Sequence, residues 1–431
     1  MRKLFFVFIL LMPFVDALEV EPNIARFGDK ILLKGDGYKG KEKVKIIIDD
    51  KVFMATATTG GSWTFLFNPQ FGGKKMITTK GIEKEETAVF WIRPKIKVSP
   101  TKGSRGTVLT IEGVGFSKGE RIQMGLNRNY KPKFVEASKR GTFTTNYIIE
   151  NQPAGKGSFY AVGTRYYLDD RKDFEMKANL ALIPSKGEVG SLMTISGTGF
   201  APSPDGIAPG EPISIDFGTQ QTVARVYTDY FGSFQIPFPV PKEKGGIVSV
   251  KAKGESSGIA CEASWTVTAK IKELPTSGYA GKQMKIKGDG FFEKEKIEIT
   301  WNEMRGSQTK SIFFADEMGV FDIDYTVCSQ PRGTKVLTIT AFQSNVQEKR
   351  SFEITPYVSA RYDEGTLTIE GTGFEQEEGI FLTFGETNYI GDVLTDRNGS
   401  FFFSAVPRVF GKKVLAVGKK SRYSTGYIDV K

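Results

Sequence analysis

The 431-residue sequence contains no histidine and only two cysteines, Cys261 and Cys328. Without histidine the commonest general base and metal ligand is missing. Ser-His-Asp triads, Cys-His pairs and histidine zinc sites are excluded with it. Two cysteines far apart in the chain are read by default as separate thiols. A bridge between neighbouring units stays open, since sequence does not give the Cα separation a bridge requires. Long helical periodicity is absent, and after the first residues no stretch is apolar enough to span a membrane.

Glycine and phenylalanine are abundant instead, at 48 and 34 residues. Many of the glycines belong to one device, Gly-x-Gly followed by an aromatic residue. It occurs at Gly35/Gly37-Tyr38, Gly113/Gly115-Phe116, Gly197/Gly199-Phe200, Gly288/Gly290-Phe291 and Gly371/Gly373-Phe374. The first glycines lie 78, 84, 91 and 83 residues apart, which is the signature of an array of similar units. Each pair follows a short β-patterned run such as Val108-Leu109-Thr110-Ile111. These ten glycines are read as structural turn positions where the chain leaves a strand at positive φ. A dinucleotide-binding loop needs three glycines opening a helix in a βαβ unit, and here another strand follows.

A second device comes later in each unit. Asp229-Tyr230-Phe231-Gly232-Ser233-Phe234, Asp316 to Phe321 and Asp396 to Phe401 share Asp-x-x-Gly-x-Phe. Ser138 to Phe143 and Thr58 to Trp63 are variants. Asp, Ser or Thr caps a type I turn, glycine closes it at positive φ, and the aromatic points inward. The aspartate is therefore read as a turn residue, not a catalytic acid. A further glycine (Gly73, Gly157, Gly245, Gly333, Gly411) precedes another strand. About seven short strands per unit is the immunoglobulin-like pattern. The fold expected is all-β: a tandem array of five immunoglobulin-like β-sandwich domains, at residues 18–93, 94–177, 178–269, 270–355 and 356–431. Junctions such as Trp91-Ile92-Arg93-Pro94-Lys95-Ile96 leave almost no linker, so a semi-rigid row is predicted.

Residues 1–17 have the pattern of a signal peptide. Arg2 and Lys3 precede an apolar stretch, Leu4 to Val15, and Ala17 offers a small residue for cleavage. The chain has 59 Lys+Arg against 49 Asp+Glu, a formal net charge of +10. Removing residues 1–17 takes away Arg2, Lys3 and Asp16 and leaves +9. The expected localisation is extracytoplasmic, secreted or at the cell surface, with no transmembrane span in the mature chain.

The opening Pro100-Thr101-Lys102-Gly103-Ser104-Arg105-Gly106, repeated at Pro184 to Gly190, precedes a strand, the Gly-x-Gly-Phe device and the Asp-x-x-Gly-x-Phe device. In this order the motifs resemble the IPT/TIG-like immunoglobulin domains of prokaryotic surface and secreted proteins. The resemblance covers nearly all of the mature chain. The first unit lacks the opening proline motif and the aspartate turn, and the fifth lacks the opening motif. The resemblance implies spacer, adhesion, surface-layer or carbohydrate-associated roles, and no catalytic residues.

Four tryptophans, Trp63, Trp91, Trp265 and Trp301, are candidates for stacking on sugar rings, against core packing as the plainer reading. Trp301 stands nearest a loop. Tyr166-Tyr167 and Tyr227/Tyr230-Phe231 are the other aromatic candidates. Asp49-Asp50 and Asp169-Asp170 are candidate calcium positions set against solvated turns, because no EF-hand spacing exists. Basic groups at Lys39/Lys41, Lys131/Lys133, Lys139-Arg140, Lys412-Lys413 and Lys419-Lys420 suit attraction to an acidic polymer or anionic surface. Asn398-Gly399-Ser400 matches a glycosylation acceptor but also serves as a hairpin turn. The function expected is a non-enzymatic structural or adhesive protein of the cell surface or envelope, acting by multivalent contacts. The alternative is a secreted carbohydrate-binding accessory protein. Expected partners are an envelope polymer, a glycan or a surface protein, with self-association possible. No cofactor, metal or nucleic acid is expected.

Overall fold

The computed structural model describes residues 18–127, 132–203, 209–302, 308–385, 387–408 and 411–431. The expected signal peptide, Lys131 and residues 204–208 of the proline-rich insertion at 201–210 lie outside the described residues. The first domain sets the pattern. Its strands are β1 (Glu19–Glu21), β2 (Ile24–Arg26), β3 (Ile31–Gly35), β4 (Lys43–Ile48), β5 (Lys51–Thr56), β6 (Trp63–Phe67), β7 (Gly73–Lys80) and β8 (Glu85–Arg93). One sheet has the order β1-β3-β6 and the other β2-β8-β7-β4-β5. All neighbours are antiparallel except β2, which runs parallel to β8 with Ile24 opposite Trp91. The first edge thus crosses from one sheet to the other, as in immunoglobulin-like sandwiches. Period-two alternation builds the core: Val44, Ile46 and Ile48 on β4 are buried while Lys43 and Lys45 face out.

The same two sheets recur in the second, third and fourth domains, each around its own apolar cluster. Eight strands form in each of the first four domains, one more than the seven expected, because the opening segment divides into two short strands. Pro22, Pro100 and Pro184 all stand at that division, each after a cis peptide bond. The first unit therefore has an equivalent of the opening proline, without the rest of the motif. In the fifth domain the opening segment is one long strand, Tyr357–Asp363, turned by Glu364-Gly365 into Thr366–Thr372. Both turn residues have positive φ, as a two-residue hairpin requires. Its second sheet keeps four strands and ends on Ile428–Asp429.

The two glycines of each pair have different duties. The second lies past the end of its strand and has positive φ in every copy: 76° at Gly37, 76° at Gly115, 87° at Gly199, 72° at Gly290 and 72° at Gly373. The first is a strand residue without positive φ, and here the structure corrects the reading of all ten as turn positions. A methyl group on Gly35, Gly113, Gly197 or Gly371 would lie within 2.4 Å of the ring of Trp63, Phe143, Phe234 or Phe401. The bare Cα is the space into which the hairpin aromatic packs. In the fourth domain Gly288 instead makes room for the Lys270 carbonyl and the ring of Phe291, each 2.7 Å from such a methyl. The two devices also lock together. The amide of each pair-following aromatic donates to the carbonyl of the hairpin glycine: Tyr38 to Gly61, Phe116 to Gly141, Phe200 to Gly232, Phe291 to Gly319 and Phe374 to Gly399, all at 3.0–3.1 Å.

A third recurrent element went unread in the sequence. Glu42, Glu120, Glu211, Glu295 and Glu378 are buried, at 0–8% exposure, one per domain. Each carboxylate accepts N–H groups from two loops that flank the second sheet. Glu295 takes the amide of Phe292 (3.0 Å) and both the amide (2.7 Å) and hydroxyl (3.0 Å) of Ser344. Glu42 takes Lys39 and Ile82, Glu120 takes Ser117 and Arg165, and Glu211 takes Ala201 and Ser257. Glu378 takes Glu375, Lys420 and Ser421. Burial pushes the Glu378 carboxyl up, but the amides of Ser421, Glu375 and Lys420 outweigh it and hold it below the ordinary 4.5.

The chain exposes 25159 Å² of surface. A single compact body of its mass would expose about 16,000 Å², and five separate bodies of a fifth the mass about 25,000 Å² in total. The domains therefore bury little against one another.

Candidate functional site at the domain joints

Each joint seats the loop before the penultimate strand of one domain on the Gly-x-Gly-aromatic loop of the next. Ala154 N donates to Gly199 O (2.7 Å), Gly245 N to Phe291 O (2.6 Å) and Arg332 N to Phe374 O (3.0 Å). At the first joint Gly72 lies so close to Gly115 that a methyl group there would sit 1.7 Å from its carbonyl oxygen. The recurrent positive-φ glycine of this loop is Gly73, Gly155, Gly246 and Gly333. In the second domain this corrects Gly157, which lies within the strand Gly155–Gly163; in the third, Gly245 precedes the strand Gly246–Gly254 as expected and is the joint donor.

Side chains finish each joint differently. Trp91 meets Tyr166 edge to face at 6.0 Å between domains one and two. Asn151 Nδ2 donates to Phe231 O (2.7 Å) and Ser233 Oγ (2.6 Å) between two and three. Lys270 pairs with Glu188 (2.7 Å) and Lys244 with Glu293 (2.8 Å) between three and four. Tyr279 stacks on Tyr357 at 3.9 Å between four and five, where Ser329 and Ser400 also share a hydrogen bond (3.1 Å).

The candidate residues separate clearly. Trp63, Trp265 and Trp301 are 0–2% exposed and belong to the cores. Trp301, the one nearest a loop, donates Nε1–H to the Tyr325 hydroxyl at 2.9 Å. Trp91 is half-buried in the first joint rather than in a core. No tryptophan is therefore fully exposed. Asp49 is paired with Lys75 (2.6 Å), and Asp170 accepts the Ile96 amide (2.9 Å) and pairs with Lys172 (3.1 Å). Among the described residues no three metal-ligating side chains gather. The turn aspartates have their oxygens engaged by the backbone: Asp316 Oδ1 accepts Met318 N (2.9 Å) and Val320 N (2.7 Å), and Asp396 repeats this with Asn398 and Ser400. Asn398 thus lies in the hairpin turn. Neither cysteine is in a disulfide, and burial pushes the Cys261 thiol up to about 12. No helix among the described residues is long and apolar enough to cross a membrane.

Tyr227, Tyr230 and Phe231 are 53–60% exposed and line a groove of about 1480 Å³ at the joint of the second and third domains. Its other wall is the segment Ile148–Pro153 of the second domain, and its floor includes Ser196, Thr198 and Gln235. A second groove, of about 700 Å³, lies at the first joint beside Asp49, Asp50 and Tyr166.

No family model and no curated relative matches the sequence. Solved structures with a similar arrangement include a tetra-tandem repeat from the extending region of a large adhesion protein. It is 12% identical with a TM-score of 0.22, over 79% of this chain and 98% of that one. The four-domain ectodomain fragment of ICAM-5 is 11% identical with a TM-score of 0.21, covering 78% and 98%. Invasin, a bacterial integrin-binding protein, is 8% identical with a TM-score of 0.20, covering 80% of each. By its own sheets and separate cores the chain is all-β, a tandem array of immunoglobulin-like domains.

Proposed function

We propose that the chain is exported and acts as a non-enzymatic structural or adhesive protein of the cell surface or envelope, a jointed row of five IPT/TIG-like immunoglobulin domains that sums weak contacts along its length. The observation that carries this reading is the main-chain contact repeated from joint to joint. Such contacts limit swivelling while burying little surface, so the row stays long and its faces stay open. The buried glutamates and the turn aspartates bind backbone amides, which gives them structural duties. The net charge of +9 left after removal of residues 1–17 supplies attraction to an acidic polymer or anionic surface. Multivalent display converts weak single contacts into strong retention, provided the geometry permits simultaneous engagement.

The test is a pull-down of residues 18–431 with isolated cell envelopes at low and high salt, paired with small-angle scattering. Retention that falls with salt, with an elongated scattering profile, is expected. Absence of retention at either salt concentration would overturn the surface reading, and a globular profile would overturn the row.

A further inference from the structure

We propose that the groove between the second and third domains is a binding site for a neutral glycan chain. The proposal deepens the surface-adhesion reading by naming one ligand class and one site.

The first observation is a departure from the repeat. The two residues between the capping residue and the turn glycine are Thr59-Gly60, Lys139-Arg140, Glu317-Met318 and Arg397-Asn398 in four domains. In the third they are Tyr230-Phe231, 59% and 60% exposed, with their rings edge to face at 5.1 Å. The turn itself is made by Asp229, whose Oδ1 accepts Phe231 N and Ser233 N at 2.8 Å, and by Gly232 at φ 71°. Its geometry matches that of the other domains, so the aromatics are not required for folding. Tyr227 adds a third exposed ring on the same wall.

The second observation is what faces them. Ser196 and Gln235 are paired across neighbouring strands, and Thr198 lies beside them in the groove. None of the three makes a side-chain hydrogen bond among the described residues. Rings that cover the C–H faces of a sugar, beside uncommitted hydroxyl and amide groups that reach its hydroxyls, are the chemistry of saccharide recognition. The joint holds the walls in place through the two Asn151 hydrogen bonds and the Ala154–Gly199 bond.

Charge and shape narrow the ligand. The lining sets one cation, Arg105, against two carboxylates, Glu150 and Asp229, so its net charge is small, and Asp229 Oδ1 is already engaged by the turn amides. A polyanion or polycation therefore finds no matching field. At about 1480 Å³ the groove is larger than the roughly 300–1,000 Å³ of a small-molecule site and suits several linked residues. A peptide strand is disfavoured because Phe234–Pro239, the free edge of its sheet, carries Pro237 and Pro239. Those positions lack the N–H groups an added strand would need.

The experiment titrates the purified full mature chain by calorimetry with cellohexaose, chitohexaose and mannohexaose, with polygalacturonate and an extended synthetic peptide as comparators. At least one neutral hexasaccharide is expected to bind. Tyr230→Ala and Tyr227→Ala should each weaken it by about tenfold or more, whereas Glu317→Ala, at the matching turn of the fourth domain, should not. Circular dichroism checks that both tyrosine variants fold; a variant that does not is replaced by Tyr230→Leu, which keeps bulk but loses the flat ring. Failure of all three hexasaccharides, preference for a comparator, or binding indifferent to both tyrosines would overturn the proposal. Calorimetry and envelope retention together tell the two readings apart: if no hexasaccharide binds while the unaltered chain is still retained by envelopes, the adhesive row stands and the glycan groove falls.

Discussion

Replacing Glu295 by alanine should nearly unfold the fourth domain while leaving the others folded. The side chain is 1% exposed and is acceptor to three donors, Phe292 N–H, Ser344 N–H and Ser344 O–H. Truncation leaves all three without a partner. Each buried unsatisfied donor costs about 1–3 kcal/mol, and the hydroxyl can rotate away. The net loss is therefore about 3–5 kcal/mol. A domain of this size holds about 4–13 kcal/mol in total, so the loss is a large fraction of it. Glu295→Gln keeps one acceptor oxygen but turns an NH₂ group toward an N–H, and should lose about half as much. Native-state hydrogen exchange on the full mature chain, read peptide by peptide, measures each domain separately. The strand Lys296–Asn302 should lose protection, with Ile213–Phe217 of the third domain unchanged. A drop below about 1 kcal/mol in the alanine variant would refute the reasoning. It would mean that desolvating the carboxylate costs as much as its hydrogen bonds return.

Three further outcomes are expected. Gly319→Ala should destabilise the fourth domain by more than about 2 kcal/mol, because its new methyl group would meet Phe291 O at 2.1 Å as well as a φ of 70°. Gly190→Ala, with φ 81° but open space around it, should cost only the backbone strain of about 1–2 kcal/mol; equal losses in urea melts of the two would sink the close-contact argument. Because the folded Glu378 carboxyl titrates below its ordinary 4.5, its contribution is fully present above that value and is lost as pH falls through the folded one. The urea midpoint of the fifth domain should therefore converge with that of Glu378→Gln as pH falls below 4.5, and a constant gap would contradict the assignment. Cys261, half-buried and with its thiol pushed up to about 12, should react with a thiol reagent at pH 8 far more slowly in the native chain than in urea. Comparable rates would show that the strand Ala260–Thr268 opens readily.

The array was legible from sequence because each unit needs the same turn chemistry. Glycine at positive φ and an Asp, Ser or Thr cap are local requirements, set within four to six residues, and they repeat whatever the neighbouring domain is. Alternation on strands such as Lys43–Ile48 is equally local. The separate duty of the first glycine was not legible, because the ring that fills its space, Phe143 over Gly113 for instance, arrives from a strand 30 residues on. The buried glutamate was partly written there too. In four domains it stands four residues after the device aromatic, at Glu42, Glu120, Glu295 and Glu378. Nothing in that spacing singles it out, because a carboxylate in a loop reads as solvated until its donors are known. Those donors come from a turn some 40 residues away, and only the closed sandwich brings them together.

The same distinction applies to the aromatics. Sequence alone fixes their spacing, which marked Trp301 and Tyr230 alike as near a loop. Packing decides that Trp301 is wholly enclosed and bonded to Tyr325, whereas Tyr230 stands over a groove. That groove is shared by two domains, so no pattern within one repeat encodes it. Sequence determined the repeated sandwich, because strands and turns follow from neighbouring residues. Tertiary structure decided the joints and the cleft between them, because these depend on contacts between surfaces roughly 80 residues apart in the chain.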